Sequence, residues 1–135
     1  MVDPQSIKKL KISHGAHNKR ICDKLHLEYQ ECPDWVVTTA FYSSIHYLDS
    51  KLFPCKHDDK EFVNISQAHS FLKTRSGSKH QTRGYLLSKY QGEFKGEYEF
   101  LLENSQTARY VDYNINEAIA DKAVRYLERI IKGCQ

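Results

Sequence analysis

The segment Pro33-Asp-Trp-Val-Val-Thr-Thr-Ala-Phe-Tyr-Ser-Ser-Ile-His-Tyr-Leu-Asp-Ser-Lys-Leu-Phe53 decides the fold of this 135-residue chain. At about 100° per residue, its apolar side chains form a stripe typical of a core-facing helix. This first stripe consists of Val37, Phe41, Ile45, Leu48 and Leu52. A second stripe, about a third of a turn away, consists of Trp35, Tyr42, His46, Asp49 and Phe53. Because only Thr39, Ser43 and Ser50 remain on a polar edge, we expect the helix to be covered on two sides, by its own bundle and by a second copy of the chain.

The composition is that of one folded domain, which we place over residues 1–135 with its core at roughly 14–132. A net charge of +3 and a pI near 8.6 permit contact with RNA without requiring it. The sequence has no apolar N-terminal leader and no apolar run of the ~18 residues that span a bilayer. Its four cysteines include no CxxC pair and are expected to be free thiols. These features predict a cytoplasmic protein without membrane contact.

Apolar periodicity predicts four helices and no strand. The first runs from about His14, capped by Ser13, to Tyr29, and the second begins at Pro33. A polar loop then leads to a short helix near 67–73. The third helix covers about Ser78–Tyr110, with a kink or break near Gly92 and Gly96, and the fourth starts at an Asn114–Glu117 capping box and stops at Gly133. We therefore predict an all-α, antiparallel up-and-down four-helix bundle.

Motifs for cofactors are missing from the sequence: it has no GxGxxG, P-loop, HExxH or GxSxG. Two close His/Cys pairs, Cys22 with His26 and Cys55 with His57, do not supply the four converging ligands that zinc needs. We therefore expect no cofactor and no metal.

The strongest candidate site is a basic cluster at the start of the third helix, formed by Arg75, Lys79, His80 and Arg83. Free N–H groups at a helix start favour an anion, and a histidine can transfer a proton near neutral pH. These residues therefore predict a contact to phosphate or to an RNA backbone. A solvated basic loop that opens a helix is the alternative interpretation.

Two further candidates lie elsewhere in the chain. Arg109, followed by Tyr110, lies near a helix end, where it binds either a substrate or the terminal carbonyls. His46 is one turn from Asp49, so the carboxylate is expected to fix the tautomer of the imidazole. A histidine that is simply hydrogen-bonded at an interface is the alternative.

Together these segments resemble the small prokaryotic HEPN-domain proteins. The resemblance rests on Asp34-Trp35 with Phe41–Asp49, on His80 with Arg83, and on Ser105–Tyr110 before the last helix. It implies a helical bundle that dimerises. Many HEPN domains are metal-independent ribonucleases of toxin or defence systems with an Arg-x(4–6)-His motif near the dimer interface. Others are non-catalytic modules that bind nucleotides or assist a partner nucleotidyltransferase.

The Arg-x(4–6)-His spacing is met by Arg75 with His80 and also by Arg20 with His26. We assign catalysis to Arg75 and His80, because they lie in the basic cluster. Lys79, Arg83, Arg109, His46 and Tyr110 are assigned to substrate binding. In such a ribonuclease, the histidine is expected to act as general acid or base while the arginine neutralises charge on the phosphorane. A non-catalytic module that dimerises and engages a nucleotide or a nucleotidyltransferase is the alternative function.

Overall fold

The computed structural model describes residues 3–29, 31–72, 77–111 and 115–135, with side chains throughout except at 110 and 111. The described chain is mostly helical, as the periodicity predicts. Its helices are α1 (Pro4–Glu28), α2 (Pro33–Leu52), α3 (Ile65–Leu72), α4 (Lys79–Tyr90), α5 (Lys95–Gln106) and α6 (Glu117–Cys134). A 3₁₀ turn (Gly92–Phe94) joins α4 to α5, and a π-helical turn (Thr107–Val111) follows α5. No described helix is both long and apolar enough to cross a membrane.

Helix α2 is the centre of the fold. It contacts α1, α4, α5, α6 and the π-helical turn. The first stripe is buried as predicted, with Val37, Phe41, Leu48 and Leu52 in the core and Ile45 partly buried against it. The second stripe divides, because Trp35 and Tyr42 are exposed while Asp49 and Phe53 are buried. Its two exposed residues, Trp35 and Tyr42, lie at the candidate site.

The predicted polar edge of α2 is wrong, because Ser43 and Ser50 are buried. Ser43 Oγ donates a hydrogen bond of 2.7 Å to the carbonyl of Gly15 on α1. At Gly15 an added Cβ would lie 2.6 Å from Tyr47 Cδ2, which is shorter than any normal contact. The small residues therefore let α1 approach α2 closely, and the serine hydroxyl finds its partner on that neighbouring helix.

Several boundaries differ from the prediction. Helix α1 begins at Pro4 rather than His14, since proline is favourable in a first turn. The predicted third helix is two helices, with the break at the expected glycine, and α4 is capped by Ser78, whose side chain accepts from Gln81 N. Asn116 caps α6 by accepting from Ile119 N, whereas the predicted cap, Asn114, lies outside the described residues.

The prediction of no strand is also wrong. Strands β1 (Cys55–His57) and β2 (Lys60–Phe62) pair antiparallel, with Cys55 opposite Phe62. Asp58 in the turn adopts φ of 54°, a left-handed conformation that aspartate tolerates. Strands of three residues are too short for alternation to appear in the sequence.

Gly133 does not stop α6, which continues to Cys134. Instead, an added Cβ at Gly133 would lie 2.5 Å from Phe94 Cε1, so the glycine makes room for that ring. Gly133 therefore serves packing rather than helix termination.

Candidate functional site

A buried ion pair joins α2 to α4 at the centre of the candidate site. Arg83 Nε lies 2.7 Å from Asp49 Oδ1, and Arg83 Nη2 lies 2.9 Å from Asp49 Oδ2. Arg83 is only 3% exposed, and its Nη1 has no hydrogen-bond partner among the described residues. Burial lowers the pKa of Arg83 and the Asp49 carboxylate raises it; the carboxylate dominates, so the pKa lies above its ordinary value and the guanidinium stays charged.

This ion pair changes two predictions. Asp49 is held by Arg83 rather than by His46, and no hydrogen bond joins His46 to Asp49 in the described structure. Arg83 was predicted to contact a phosphate, but its fork is committed to Asp49 in the protein interior. We therefore assign Arg83 a structural and electrostatic role next to the site rather than direct contact with a ligand.

His80 lies in the first turn of α4, three residues before Arg83. The Tyr98 hydroxyl donates a 2.8 Å hydrogen bond to the His80 carbonyl and so holds this end of the helix. The half-buried imidazole packs edge-on against Phe41 at 5.2 Å between ring centroids. Its Nδ1 is buried and has no hydrogen-bond partner among the described residues, which is unusual for a polar atom.

The electrostatic surroundings of His80 favour its neutral form. Burial lowers the pKa of His80, and the positive charges of Arg83 and Arg109 lower it further, against a smaller opposing effect of Asp49. Because the pKa lies below 6.5, the imidazole is mostly neutral at pH 7 and can accept a proton. The same shift makes the protonated ring a stronger acid.

Arg109 comes from the π-helical turn that follows α5. Its Nε donates to the Ser105 carbonyl at 3.1 Å, and its Nη1 donates to the Tyr42 hydroxyl. The guanidinium lies over two rings of α2, at 5.2 Å from the Tyr42 centroid and 5.8 Å from that of Phe41. The predicted bond to a carbonyl at the helix end is therefore confirmed. Turns of π type occur frequently at functional sites, because they redirect side chains.

His80 and Arg109 thus both pack against the ring of Phe41. Phe41 and Tyr42 lie on the two stripes of α2, and neither was predicted to belong to the site. Nothing in the local pattern could have shown this, since the two rings are brought to Arg109 by the packing of the π-helical turn on α2. Beside Arg109 lies a cavity of about 180 Å³, lined by Asp34, Trp35, Thr38, Ala108 and Arg109.

His46 lies on the α1 side of the site. Its ring packs edge-on against His14, with 5.3 Å between centroids. Burial lowers the pKa of His46, and the neighbouring Lys11 and His14 contribute in the same direction. The charges of Asp49 and Arg83 act on the pKa of His46 as they do on that of His80, Asp49 raising it and Arg83 lowering it.

The remaining predicted residues lie apart or cannot be placed. Arg75 and the side chain of Tyr110 are outside what the structure describes. Lys79 is exposed and donates to Ser66 Oγ at 3.0 Å, which ties α4 to the start of α3. In the second Arg-x(4–6)-His pair, His26 Nε2 lies 2.6 Å from Asp121 Oδ1 on α6, so this imidazole already has a structural partner.

Within the described residues, no group of three or more His, Cys, Asp or Glu side chains is arranged to hold a metal ion. Neither a protein-family model nor a curated protein matches the chain.

Proposed function

We propose that this chain is a HEPN-like four-helix bundle that binds RNA through a phosphate at the His80–Arg109 site and cleaves it without a metal ion. The observation that carries the proposal is the orphaned Nδ1 of His80, a neutral imidazole beside Arg109. A buried ring nitrogen without a partner is costly unless a ligand or a reaction uses that side chain.

Arg109 suits a phosphate contact. Its guanidinium is held by the Ser105 carbonyl and by stacking on Phe41 and Tyr42, so little side-chain entropy is lost when an anion binds. Its Nη2 also donates to Ser105 Oγ at 3.5 Å. A guanidinium has five N–H groups, so it can keep these protein partners and still donate to a phosphate oxygen. The Tyr42 hydroxyl accepts from Arg109 and keeps its own proton to donate to the same phosphate.

The geometry supports transesterification of RNA. The 2′-hydroxyl attacks the adjacent phosphorus while neutral His80 takes its proton, and the O2′–P bond forms. The P–O5′ bond then breaks, and protonated His80 returns the proton to the leaving 5′ oxygen, which yields a 2′,3′-cyclic phosphate. Arg109 neutralises the charge that develops on the phosphorane oxygens.

A second copy of the chain is part of the proposal. Exposed apolar side chains lie along α1, among them Leu10, Ile12, Ile21 and Leu27. Exposed apolar side chains on one helix offer an interaction face for a second copy. Sedimentation velocity tests the homodimer, since a monomer at all concentrations contradicts it.

One observation favours a second candidate function, a non-catalytic module that engages a nucleotide or a partner such as a nucleotidyltransferase. Arg83 is committed to Asp49, which leaves fewer cations for the transition state than a basic cluster of four residues would supply. The two candidates share the phosphate contact and differ only in turnover.

The test uses end-labelled single-stranded RNA in EDTA with the wild type, His80→Gln and Arg109→Gln. The matched controls are His17→Gln and Arg125→Gln, which change exposed residues of the same types on α1 and α6. We expect His80→Gln to bind RNA but to cleave about 10²–10⁴-fold more slowly, and Arg109→Gln to bind more weakly. Binding without cleavage by the wild type supports the second candidate. Equal binding by Arg109→Gln and the wild type overturns both.

A further inference from the structure

The cavity beside Arg109 has the features of a subsite for one planar ring. Its volume of about 180 Å³ is below the roughly 300–1,000 Å³ of pockets that enclose whole drug-sized ligands, so it suits a single ring system. Arg109 belongs to the wall of the cavity and to the proposed phosphate site. A ligand that places a phosphate on Arg109 would therefore bring its next group into this cavity.

Trp35 supplies an aromatic wall. It is the one tryptophan of the chain and is 58% exposed, although it starts the second stripe of the central helix. An exposed indole at the edge of a cavity is a stacking surface for a nucleobase, because every base has a π face.

The Asp34 carboxylate supplies a hydrogen-bond acceptor that can distinguish one base from another. No described side chain donates to its carboxylate, and the nearby Thr38 hydroxyl donates instead to the backbone carbonyl of Asp34 at 2.8 Å. An ionised carboxylate only accepts hydrogen bonds and offers two oxygens side by side. Its best partner is a group with two adjacent donors in one plane.

Guanine is the RNA base that meets this requirement. Its N1–H and N2–H₂ donors are adjacent, whereas adenine, cytosine and uracil each place an acceptor beside the donor of the Watson–Crick edge, where it would repel a carboxylate. We propose that the cavity binds a guanine base, stacked on Trp35 and hydrogen-bonded to Asp34, with its phosphate on Arg109. This inference rests on the proposed function and adds a base preference to it.

Trp35 makes the test direct, because tryptophan fluorescence reports on this cavity alone. We would titrate the protein with GMP, IMP and AMP and follow both fluorescence and displacement of labelled RNA. IMP lacks only the N2 amino group. We expect GMP to change the fluorescence and to bind roughly 10- to 100-fold more tightly than AMP, with IMP weaker than GMP.

Asp34→Asn should abolish the preference for GMP, whereas Glu31→Gln, an exposed acid outside the cavity, should keep it. Equal affinity of the wild type for the three nucleotides overturns the guanine site, whether or not Asp34→Asn folds. So does a GMP preference that survives in folded Asp34→Asn. Arg109→Gln separates the two failures. If the nucleotides show no GMP preference and Arg109→Gln also binds RNA like the wild type, the proposed function fails with the guanine site. If the GMP preference is missing but Arg109→Gln weakens RNA binding, only the guanine site is wrong.

Discussion

Replacing Asp49 by asparagine tests the buried ion pair beneath the site. The change keeps the shape of the side chain but removes the charge opposite Arg83, whose side chain is 4% exposed and cannot reach water. Two charged hydrogen bonds, at 2.7 and 2.9 Å, are lost or weakened at once. Because Arg83 Nη1 already has no described partner, the guanidinium would be left without compensation.

The expected magnitude follows from this burial. Removing one member of a buried pair costs about 3–5 kcal/mol, a large share of the ~5–15 kcal/mol that holds a domain folded. For a chain of this length, that corresponds to a fall in Tm of roughly 12–20 °C. The double variant Asp49→Leu/Arg83→Met removes both charges and is expected to recover most of the loss.

Urea unfolding followed by circular dichroism measures these free energies, provided the transitions have equal m-values. The control is Glu99→Gln, which breaks the exposed Lys95–Glu99 pair at 3.2 Å and should cost only about 0.3–0.5 kcal/mol. A loss below ~1 kcal/mol for Asp49→Asn, similar to that of the control, would refute the buried pair.

Three further results are expected. Gly15→Ala should lower the free energy of unfolding by about 1–3 kcal/mol in the same assay, because its Cβ meets Tyr47. Gly96→Ala, with open space around it, should raise that free energy by about 0.4–1 kcal/mol. A gain in both variants would contradict the close approach of α1 to α2. Folding lowers the pKa of His80, so the neutral side chain contributes its full stabilisation above pH 6.5. This contribution is lost as the pH falls below 6.5, by at most about 1.4 kcal/mol per pH unit. Tm measured from pH 7 to about pH 5 should therefore fall less steeply in His80→Gln than in the wild type, and identical slopes would argue against the shift. Tyr42→Phe should weaken RNA binding several-fold in a fluorescence anisotropy assay without lowering Tm, and unchanged affinity would remove Tyr42 from the site.

The helical class could be predicted from the sequence because α2 carries two stripes that only a helix can align, and because prolines and glycines mark several ends. The early start of α1 and the β1–β2 hairpin could not be predicted from the sequence. The ten residues before His14 carry no clear stripe, and each strand of the hairpin has three residues, fewer than the roughly four to eight over which alternation can be recognised.

The candidate site was only partly predictable, because sequence patterns report neighbours along the chain. His80 and Arg109 could be identified as candidates by residue type and position near helix ends. Their meeting at Phe41 depends on how α4 and the π-helical turn pack on α2. Asp49 and Arg83 are 34 residues apart in the sequence. The i, i+3 spacing on a helix instead predicted a pair between Asp49 and His46, one turn away.

Histidine ring NMR gives the most direct test of the site. The chain has seven histidines, and long-range ¹H–¹⁵N spectra resolve the imidazole nitrogens of each. Adding a short single-stranded RNA should change the ¹⁵N chemical shifts of the His80 ring strongly. The shifts of His26, which is hydrogen-bonded to Asp121, should stay unchanged. If the His80 signals stay fixed while the protein is saturated with RNA, the phosphate does not bind between His80 and Arg109.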